Sequence, residues 1–200
     1  MEHQELFKFL FPGDELTKQV LAQPNYHTWW DALEEKLKPI VMKRGQMLSV
    51  KGNKPESIYF LYQGAIKGYH YHLNIEQVIY LWDSPSVVGD ITSYFEETLS
   101  DLYIEVVQDA SLLMLERDAL EGVFLEFPES FIFLTSILLK YARYHQEVYM
   151  DAQTLYGFEK FEKLLSTRKM IDMIFSKSDL ASFLGVSRSS VSAFYRKKSR

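Results

Sequence analysis

Residues 176–200 read SKSDLASFLGVSRSSVSAFYRKKSR and contain several helix-capping and turn residues at close spacing. Ser176 or Ser178 can cap a first short helix, because a serine side chain accepts a hydrogen bond from the free amides at a helix start. Gly185 can adopt the left-handed conformation that ends a helix, and Ser187 can cap a second one. Two short helices joined by a glycine turn predict a helix-turn-helix motif.

The second of these helices has two chemically different faces. Val191 and Phe194 lie on one face with Tyr195 beside them, and we expect that face to be buried. The leading end and opposite face are placed to meet base edges in a DNA major groove; these residues are Arg188, Ser189, Ser192 and Ala193. Basic residues at the far end would neutralise phosphates and give salt-dependent affinity; they are Arg196, Lys197, Lys198 and Arg200. Arg188 is the candidate for a bidentate guanine contact, with a phosphate contact as its alternative.

Positive charge is concentrated at this end of an acidic chain. The 200 residues carry a formal charge of −5, yet residues 158–200 hold 10 Lys and Arg against 4 Asp and Glu, and residues 1–157 hold 12 against 23. Electrostatic attraction to a polyanion acts over a Debye length of about 10 Å, so the local charge decides binding. A solvated basic tail is the alternative, and the preceding motif favours DNA.

Composition limits the other functions. With 47% hydrophobic and 15% aromatic residues the chain can bury a sizeable core. It has no apolar window of the roughly 18 residues that span a bilayer and no signal-peptide pattern, so we expect a cytoplasmic protein without a membrane partner. The absence of cysteine excludes disulfides, thiol catalysis and cysteine-held clusters. No nucleophile–base pair or phosphate-binding glycine loop is visible, and we expect no enzyme activity and no metal.

The central part of the chain has the texture of β-structure. From Ile40 to Glu116, short runs rich in Val, Ile, Tyr and Phe alternate with turn-like segments such as KGNKPE, QG and DSPS. Several short strands at regular spacing predict an antiparallel roll. On either side of it, residues 31–38 predict a short helix ended by Pro39, and residues 119–126 predict another capped by Asp118.

A long helix follows, predicted from Pro128 to Leu155. Its apolar residues recur at alternating spacings of four and three over three heptads, as in a coiled-coil a/d pattern. Part of the helix must also pack on its own roll. We expect the repeating positions, called the seam, to join two copies across a two-fold axis; they are Leu134, Leu138, Tyr141, His145, Val148, Ala152 and Leu155.

The predicted fold class is therefore α+β, with an N-terminal antiparallel β-roll like that of cyclic-nucleotide-binding domains, a long dimerisation helix and a C-terminal helix-turn-helix. The predicted boundaries are 1–127 for the N-terminal helices and roll, 128–156 for the long helix and 157–200 for the DNA-binding part. Two segments in this order, VMKRGQMLSVKGNKPESIYFLYQGAIKGYHYH (41–72) and SKSDLASFLGVSRSSVSAFYRKK (176–198), resemble the CRP/FNR superfamily of bacterial transcription regulators over about residues 25–200.

The resemblance implies a homodimer that binds an inverted repeat in double-stranded DNA, with RNA polymerase as a further partner. The lack of a wing after Lys198 is most similar to a subgroup common in Bacteroidetes and some anaerobes. The alternative function is a roll that binds a small molecule or a protein, with C-terminal helices that dock a protein rather than DNA. That alternative predicts no salt-dependent affinity for DNA.

Members of the superfamily that bind cyclic AMP carry Gly-Glu and, about ten residues later, Arg-Ser. This chain has Gly89-Asp90 in the first place, and the strand that follows aligns Asp101 with the arginine. A carboxylate facing a cyclic phosphate would repel it, so we expect no cyclic AMP binding and name no other cofactor. The resemblance places Gly89, Asp90, Ile91, Ser93 and Asp101 at a candidate effector pocket. Tyr94, Tyr103 and Tyr141 could line an apolar part of it between the roll and the long helix, with packing in the core as the alternative.

Overall fold

The computed structural model describes residues 3–198, and side chains from residue 5 to residue 197. Three helices precede the sheet: α1 (His3–Leu10), α2 (Glu15–Leu21) and α3 (Tyr26–Glu34). The predicted helix over 31–38 was wrong in its bounds. Strand β1 already begins at Lys38, and it lies at the edge of the sheet, where Pro39 is tolerated because no neighbouring strand needs its missing amide.

Six antiparallel strands form the predicted roll. They are β1 (Lys38–Met42), β2 (Met47–Ser49), β3 (Ser57–His72), β4 (Ile75–Asp83), β5 (Ser86–Val88) and β6 (Tyr103–Glu116), with helix α4 (Ile91–Glu96) between the last two. The order is β1-β6-β3-β4; β2 also pairs with β6, and β5 pairs with β3. The long strands β3 and β6 form the centre of this sheet and carry most of its core.

Strand β3 continues without a break through Gln63-Gly64, the QG pair that the sequence predicts to be a turn. Gly64 has φ +95°, and the register with β6 shifts on both sides of Gln63, so this site is a β-bulge inside one strand. A Cβ at Gly64 would lie 2.3 Å from the carbonyl oxygen of Asp109. Only glycine fits this close approach of two backbones.

The C-terminal half is helical. It contains α5 (Arg117–Glu126), a 3₁₀ turn (Pro128–Ser130), α6 (Phe131–Thr154), α7 (Phe158–Thr167), α8 (Ile171–Ile174), α9 (Lys177–Leu184) and α10 (Arg188–Lys198). Helix α5 begins at Arg117 with Glu116 at its N-cap, so the predicted cap at Asp118 was two residues late. Pro128 lies in the 3₁₀ turn that precedes α6 rather than in the first turn of α6 itself. No helix within residues 3–198 is long and apolar enough to cross a membrane.

The buried side chains form three clusters. The first joins the N-terminal helices to the roll and to α6, through Trp29, Phe60 and Phe133 among others. Another lies inside the roll, between β3, β4 and β6. The remaining cluster joins Tyr69 and Leu81 of the roll to helices α7 to α10. The C-terminal helices therefore share a core with β3 and β4; the predicted domain boundaries stay a prediction.

We expect Gly64→Ala to lower the free energy of unfolding by about 3 kcal/mol or more, since it combines a positive-φ strain with overlap against the Asp109 backbone. Gly45→Ala is the matched control, because Gly45 has φ +84° and open space around its Cα. This variant should lower the free energy of unfolding by only about 1 kcal/mol. Urea unfolding of both variants measures the difference, and equal losses would contradict the close approach.

Candidate nucleic-acid interface

The turn between α9 and α10 is built by local side-chain hydrogen bonds. Ser176 caps α9: its hydroxyl accepts from the Asp179 amide at 3.1 Å, and the Asp179 carboxylate accepts from the Ser176 amide at 3.1 Å. Gly185 ends α9 in the left-handed conformation with φ +65°. Ser187 then caps α10 by accepting from the Ser190 amide at 3.1 Å. The helix-turn-helix prediction is confirmed as a fold element.

The inner face of α10 is anchored by apolar contacts. Val191 is fully buried, and Phe194 is 5% exposed. The Phe194 ring stacks on Phe161 of α7 with 5.3 Å between centroids. Ala181 of α9 is 4% exposed in the same cluster, where a small side chain lets the two helices cross closely. These contacts leave the opposite side of α10 toward solvent.

The predicted base-reading residues lie on that outer side. Arg188 and Ser189 are exposed, whereas Ser192 and Ala193 are half-buried. Two of the hydroxyls already have partners: Ser189 bonds Ser187 at 2.8 Å between oxygens, and Ser192 donates to the Arg188 carbonyl at 3.2 Å. Within the described chain, the Arg188 guanidinium forms no ion pair.

The predicted phosphate-binding residues continue along the same helix. Arg196 and Lys197 are exposed, and the Lys197 ammonium lies 5.6 Å from the centroid of the Phe158 ring. The side chain of Lys198 and the whole of Arg200 lie outside the described residues. The described part of α10 thus presents three cations, Arg188, Arg196 and Lys197, at its two ends.

A buried lysine joins the helix-turn-helix to the roll. Lys67 of β3 is 8% exposed, and its ammonium lies 2.6 Å from Glu76 of β4, 3.1 Å from Asp179 of α9 and 3.5 Å from Glu105 of β6. These four residues are called the Lys67 cluster. Burial opposes the charge of Lys67, but hydrogen bonds and charges from Glu76 and Asp179 outweigh it and raise the pKa of Lys67 above its ordinary value.

Two further polar contacts hold the same junction. The Ser182 hydroxyl of α9 accepts from the Val78 amide at 2.9 Å and donates to the Glu76 carbonyl at 3.2 Å, both on β4. Arg168, just after α7, donates to the Leu81 carbonyl at 2.6 Å and pairs with Asp83. Sequence reasoning missed the junction; its only local signal is a lone lysine in the apolar run AIKGY of β3.

Asp90 of the predicted effector pocket caps a helix. Asp90 is the N-cap of α4: its carboxylate accepts from the Ser93 amide at 3.2 Å and from the Ser100 hydroxyl at 2.8 Å. The placement of Asp101 in the pocket was wrong, because its side chain is 80% exposed and pairs with Lys51 at 2.7 Å. Leu102 beside it is buried, and neighbouring residues in an extended segment point to opposite sides. Ser100, not Asp101, faces Asp90.

The three predicted pocket tyrosines do not meet. Tyr94 is buried with Ile91 in the first cluster under the Arg117 guanidinium, 4.1 Å from its ring centroid. Tyr103 stacks on Tyr69 with 5.3 Å between centroids, at the end of the roll near α9. Tyr141 of α6 contacts Tyr80. The predicted aromatic pocket was wrong in this respect: Tyr103 belongs to another cluster, whereas Tyr141 packs against the cluster that contains Tyr94.

The seam residues on α6 divide between the roll and solvent. The Tyr80 hydroxyl bonds Tyr141 at 2.8 Å and His145 Nε2 at 2.9 Å, so these two seam residues contact the roll of their own chain. Burial lowers the pKa of His145, and burial with the Tyr141 hydrogen bond raises the pKa of Tyr80. Leu138 is 42% exposed and shares an open apolar side of α6 with Phe131 and Tyr149, which are 51% and 64% exposed.

The fold was compared with known proteins by sequence and by structure. No family model and no curated protein matches the sequence. Among solved structures, the global regulator CLP of Xanthomonas campestris has a TM-score of 0.67 at 13% identity over 86% of this chain and 91% of its own. FixK2 of Bradyrhizobium japonicum has 0.66 at 14% over 80% and 83%. A CooA mutant from Carboxydothermus hydrogenoformans has 0.62 at 10% over 92% and 84%.

These neighbours are CRP/FNR regulators, and the chain has their fold. At identities of 10–14% the likeness establishes architecture alone. The neighbour CLP is described as responsive to c-di-GMP, which is a property of that protein. Over residues 3–198, no three His, Asp or Glu side chains come together in a way that could hold a metal ion.

Replacing the buried lysine should show that its cluster stabilises the molecule. We expect Lys67→Met to lower the free energy of unfolding by about 3 kcal/mol at pH 7, because three carboxylates lose their common cation. Lys43→Met is the control. It removes an exposed ion pair with Asp109 and should lower the free energy of unfolding by less than about 1 kcal/mol. Equal losses in urea unfolding would contradict a structural role of the cluster.

Proposed function

We propose that this protein is a sequence-specific DNA-binding transcription regulator that acts as a homodimer. The observation that carries the proposal is the outer side of α10, a helix whose inner face is fixed by Val191 and Phe194 and whose exposed ends carry cations. A rigidly held helix with a polar leading end fits a major groove about 12 Å wide. A cytoplasmic location and an interaction with RNA polymerase belong to the same proposal.

The two ends of α10 would do different work. Arg188 at the leading end can donate two hydrogen bonds to the N7 and O6 acceptors of guanine, which distinguishes bases. Arg196 and Lys197, two turns further on, would neutralise phosphates, which are the same in every sequence. Specificity and salt dependence should therefore be separable by substitution.

We expect Arg188→Ala to weaken binding to the preferred site by about 1–3 kcal/mol per half-site and to relax specificity at one base position. The double variant Arg196→Ala, Lys197→Ala should instead weaken all duplexes alike and reduce the salt slope by about 1 for each phosphate that is no longer neutralised. The preferred site is first selected from random duplexes with the wild-type protein. Affinities are then measured by fluorescence anisotropy at several salt concentrations.

Lys36→Ala is the matched control, since Lys36 is an exposed cation near the end of α3. Binding by this control should equal that of the wild type. If the α10 variants and this control bind every duplex equally, DNA binding through α10 is refuted. A protein-docking role for the C-terminal helices is then the better account.

Dimerisation is proposed from the open apolar side of α6. Leu138, Phe131 and Tyr149 lie on one side of a 24-residue helix, and isolated chains rarely leave such a stripe in water. A two-fold axis beside this helix would repeat α10 on the other side of the dimer. Two recognition helices about 34 Å apart would then read an inverted repeat on one face of the duplex.

We expect Leu138→Glu to give monomers in sedimentation velocity, because two carboxylates would face each other across the axis. Val41→Glu is the control: Val41 is 70% exposed on the edge strand β1. That variant should sediment like the wild type. A Leu138→Glu protein that remains dimeric would contradict the proposed interface.

We also propose that cyclic AMP does not bind, and the residues that support this line the cleft beside Gly89. A cleft of about 230 Å³ beside Gly89 is lined by Asp90 and Glu56 as well as Lys54. The Lys54 ammonium is held by Glu97 at 2.5 Å, so it is not free for a phosphate. Two carboxylates and a neutralised lysine disfavour an anionic ligand in this cleft.

A further inference from the structure

A cavity of about 320 Å³ lies where the roll, the long helix and the C-terminal helices meet. Its walls come from β4 with Leu81 and Asp83, from the end of α6, and from α7 and α9. A volume of this size is at the lower end of those that hold small organic ligands. None of the residues of the predicted effector pocket lines it.

The lining is mostly apolar, with charged residues contributed by α6 and by α7. Val148, Leu164 and Phe183 provide apolar surface from three different helices. On the α6 side, Glu147 and Asp151 are one turn apart and form no ion pair within the described residues. On the α7 side, the Lys160 ammonium makes one long hydrogen bond, 3.4 Å to the Leu184 carbonyl, and has further protons to donate.

Arg168 also lines the cavity but is already engaged. It pairs with Asp83 and donates to the Leu81 carbonyl, so these two charges neutralise one another. The charges left for a ligand are the two carboxylates on α6 and the single ammonium on α7. Among the side chains of residues 5–197, no ion pair joins Lys160 to either carboxylate, so a molecule that bridges them has an open place between complementary groups.

We propose that this junction cavity binds a small zwitterion, an α-amino acid with an apolar side chain. Its ammonium group would donate to Glu147 and Asp151, its carboxylate would accept from Lys160, and its side chain would lie against Val148, Leu164 and Phe183. Nucleotide phosphates are disfavoured, because the unpaired charges that line the cavity are two carboxylates and one ammonium. As an effector role this rests on the proposed DNA-binding function; as a binding site it does not.

A ligand in this place would touch all three parts of the chain at once. It can favour one arrangement of α9 and α10 relative to the roll only by binding that arrangement more tightly than others. The Lys67 cluster fixes the other side of the same junction. The cavity is thus placed where a small molecule can act on the orientation of the recognition helix.

Isothermal titration calorimetry of the full chain without DNA tests the site. The probes are L-phenylalanine and L-leucine, with phenethylamine and 3-phenylpropionate as analogues that lack one charged group each. We expect saturable binding of at least one amino acid. The matching analogues should bind at least about tenfold more weakly, since each loses a charge-assisted hydrogen bond. Absence of saturable binding by both amino acids would overturn the proposal.

Substitutions in the cavity wall test whether the amino acid binds in this cavity. The double variant Glu147→Gln, Asp151→Asn keeps the shape of the cavity and should lower amino-acid affinity at least about tenfold. Glu126→Gln, an exposed change on α5, should not alter it. Equal affinity in the wild type and the double variant, with circular dichroism showing that both are folded, would place the ligand elsewhere and refute the site. Because DNA is absent, these results are independent of whether α10 binds DNA.

Discussion

The arrangement of the molecule depends on the buried ammonium of Lys67. The ammonium of a lysine that is only 8% exposed must be paired, because an uncompensated buried charge is among the most destabilising features a protein can contain. Its partners come from β4, β6 and α9, so one charge joins the two strands on either side of β3 to the helix-turn-helix. Asp179 also completes the capping box of α9, and the same carboxylate therefore sets where α9 starts and how it docks.

The charge that α10 presents comes from its own part of the chain. Asp179 is one of only four acidic residues in residues 158–200, and it pairs with Lys67 of the roll. Because Glu76 and Glu105 share the same ammonium, this pairing adds no positive charge to the C-terminal part. Local charge, rather than the net charge of −5 for the chain, decides attraction to a polyanion within a Debye length of about 10 Å.

The helix-turn-helix could be predicted from sequence because its determinants are local. Ser176, Gly185 and Ser187 act within four residues of their own positions, and their chemistry is specific.

The long-range features could not be predicted in the same way. Gly64 looked like a turn because a bulge is defined by the partner strand, and that strand lies more than 40 residues away in sequence. The predicted effector pocket was limited in the same way. Asp101 was aligned with the phosphate-binding arginine from one neighbouring strand, and a shift of one residue along a strand reverses the side to which every side chain points. In the structure the Ser100 hydroxyl, rather than a cationic side chain, contacts Asp90. That cyclic AMP does not bind stays a prediction, and it now depends on the lack of a cation beside Asp90 rather than on repulsion by Asp101.

Helix α6 links these separate sites because its sides face different parts of the protein. Tyr141 and His145 bond Tyr80 of the roll, Leu138 lies on the open apolar side, and Glu147 and Asp151 line the junction cavity. A continuous helix of 24 residues transmits a rotation or shift along its whole length. A change at the cavity would therefore alter the open side of α6 as well as the docking of α9. In a dimer formed through that side, the spacing of the two recognition helices would respond to both.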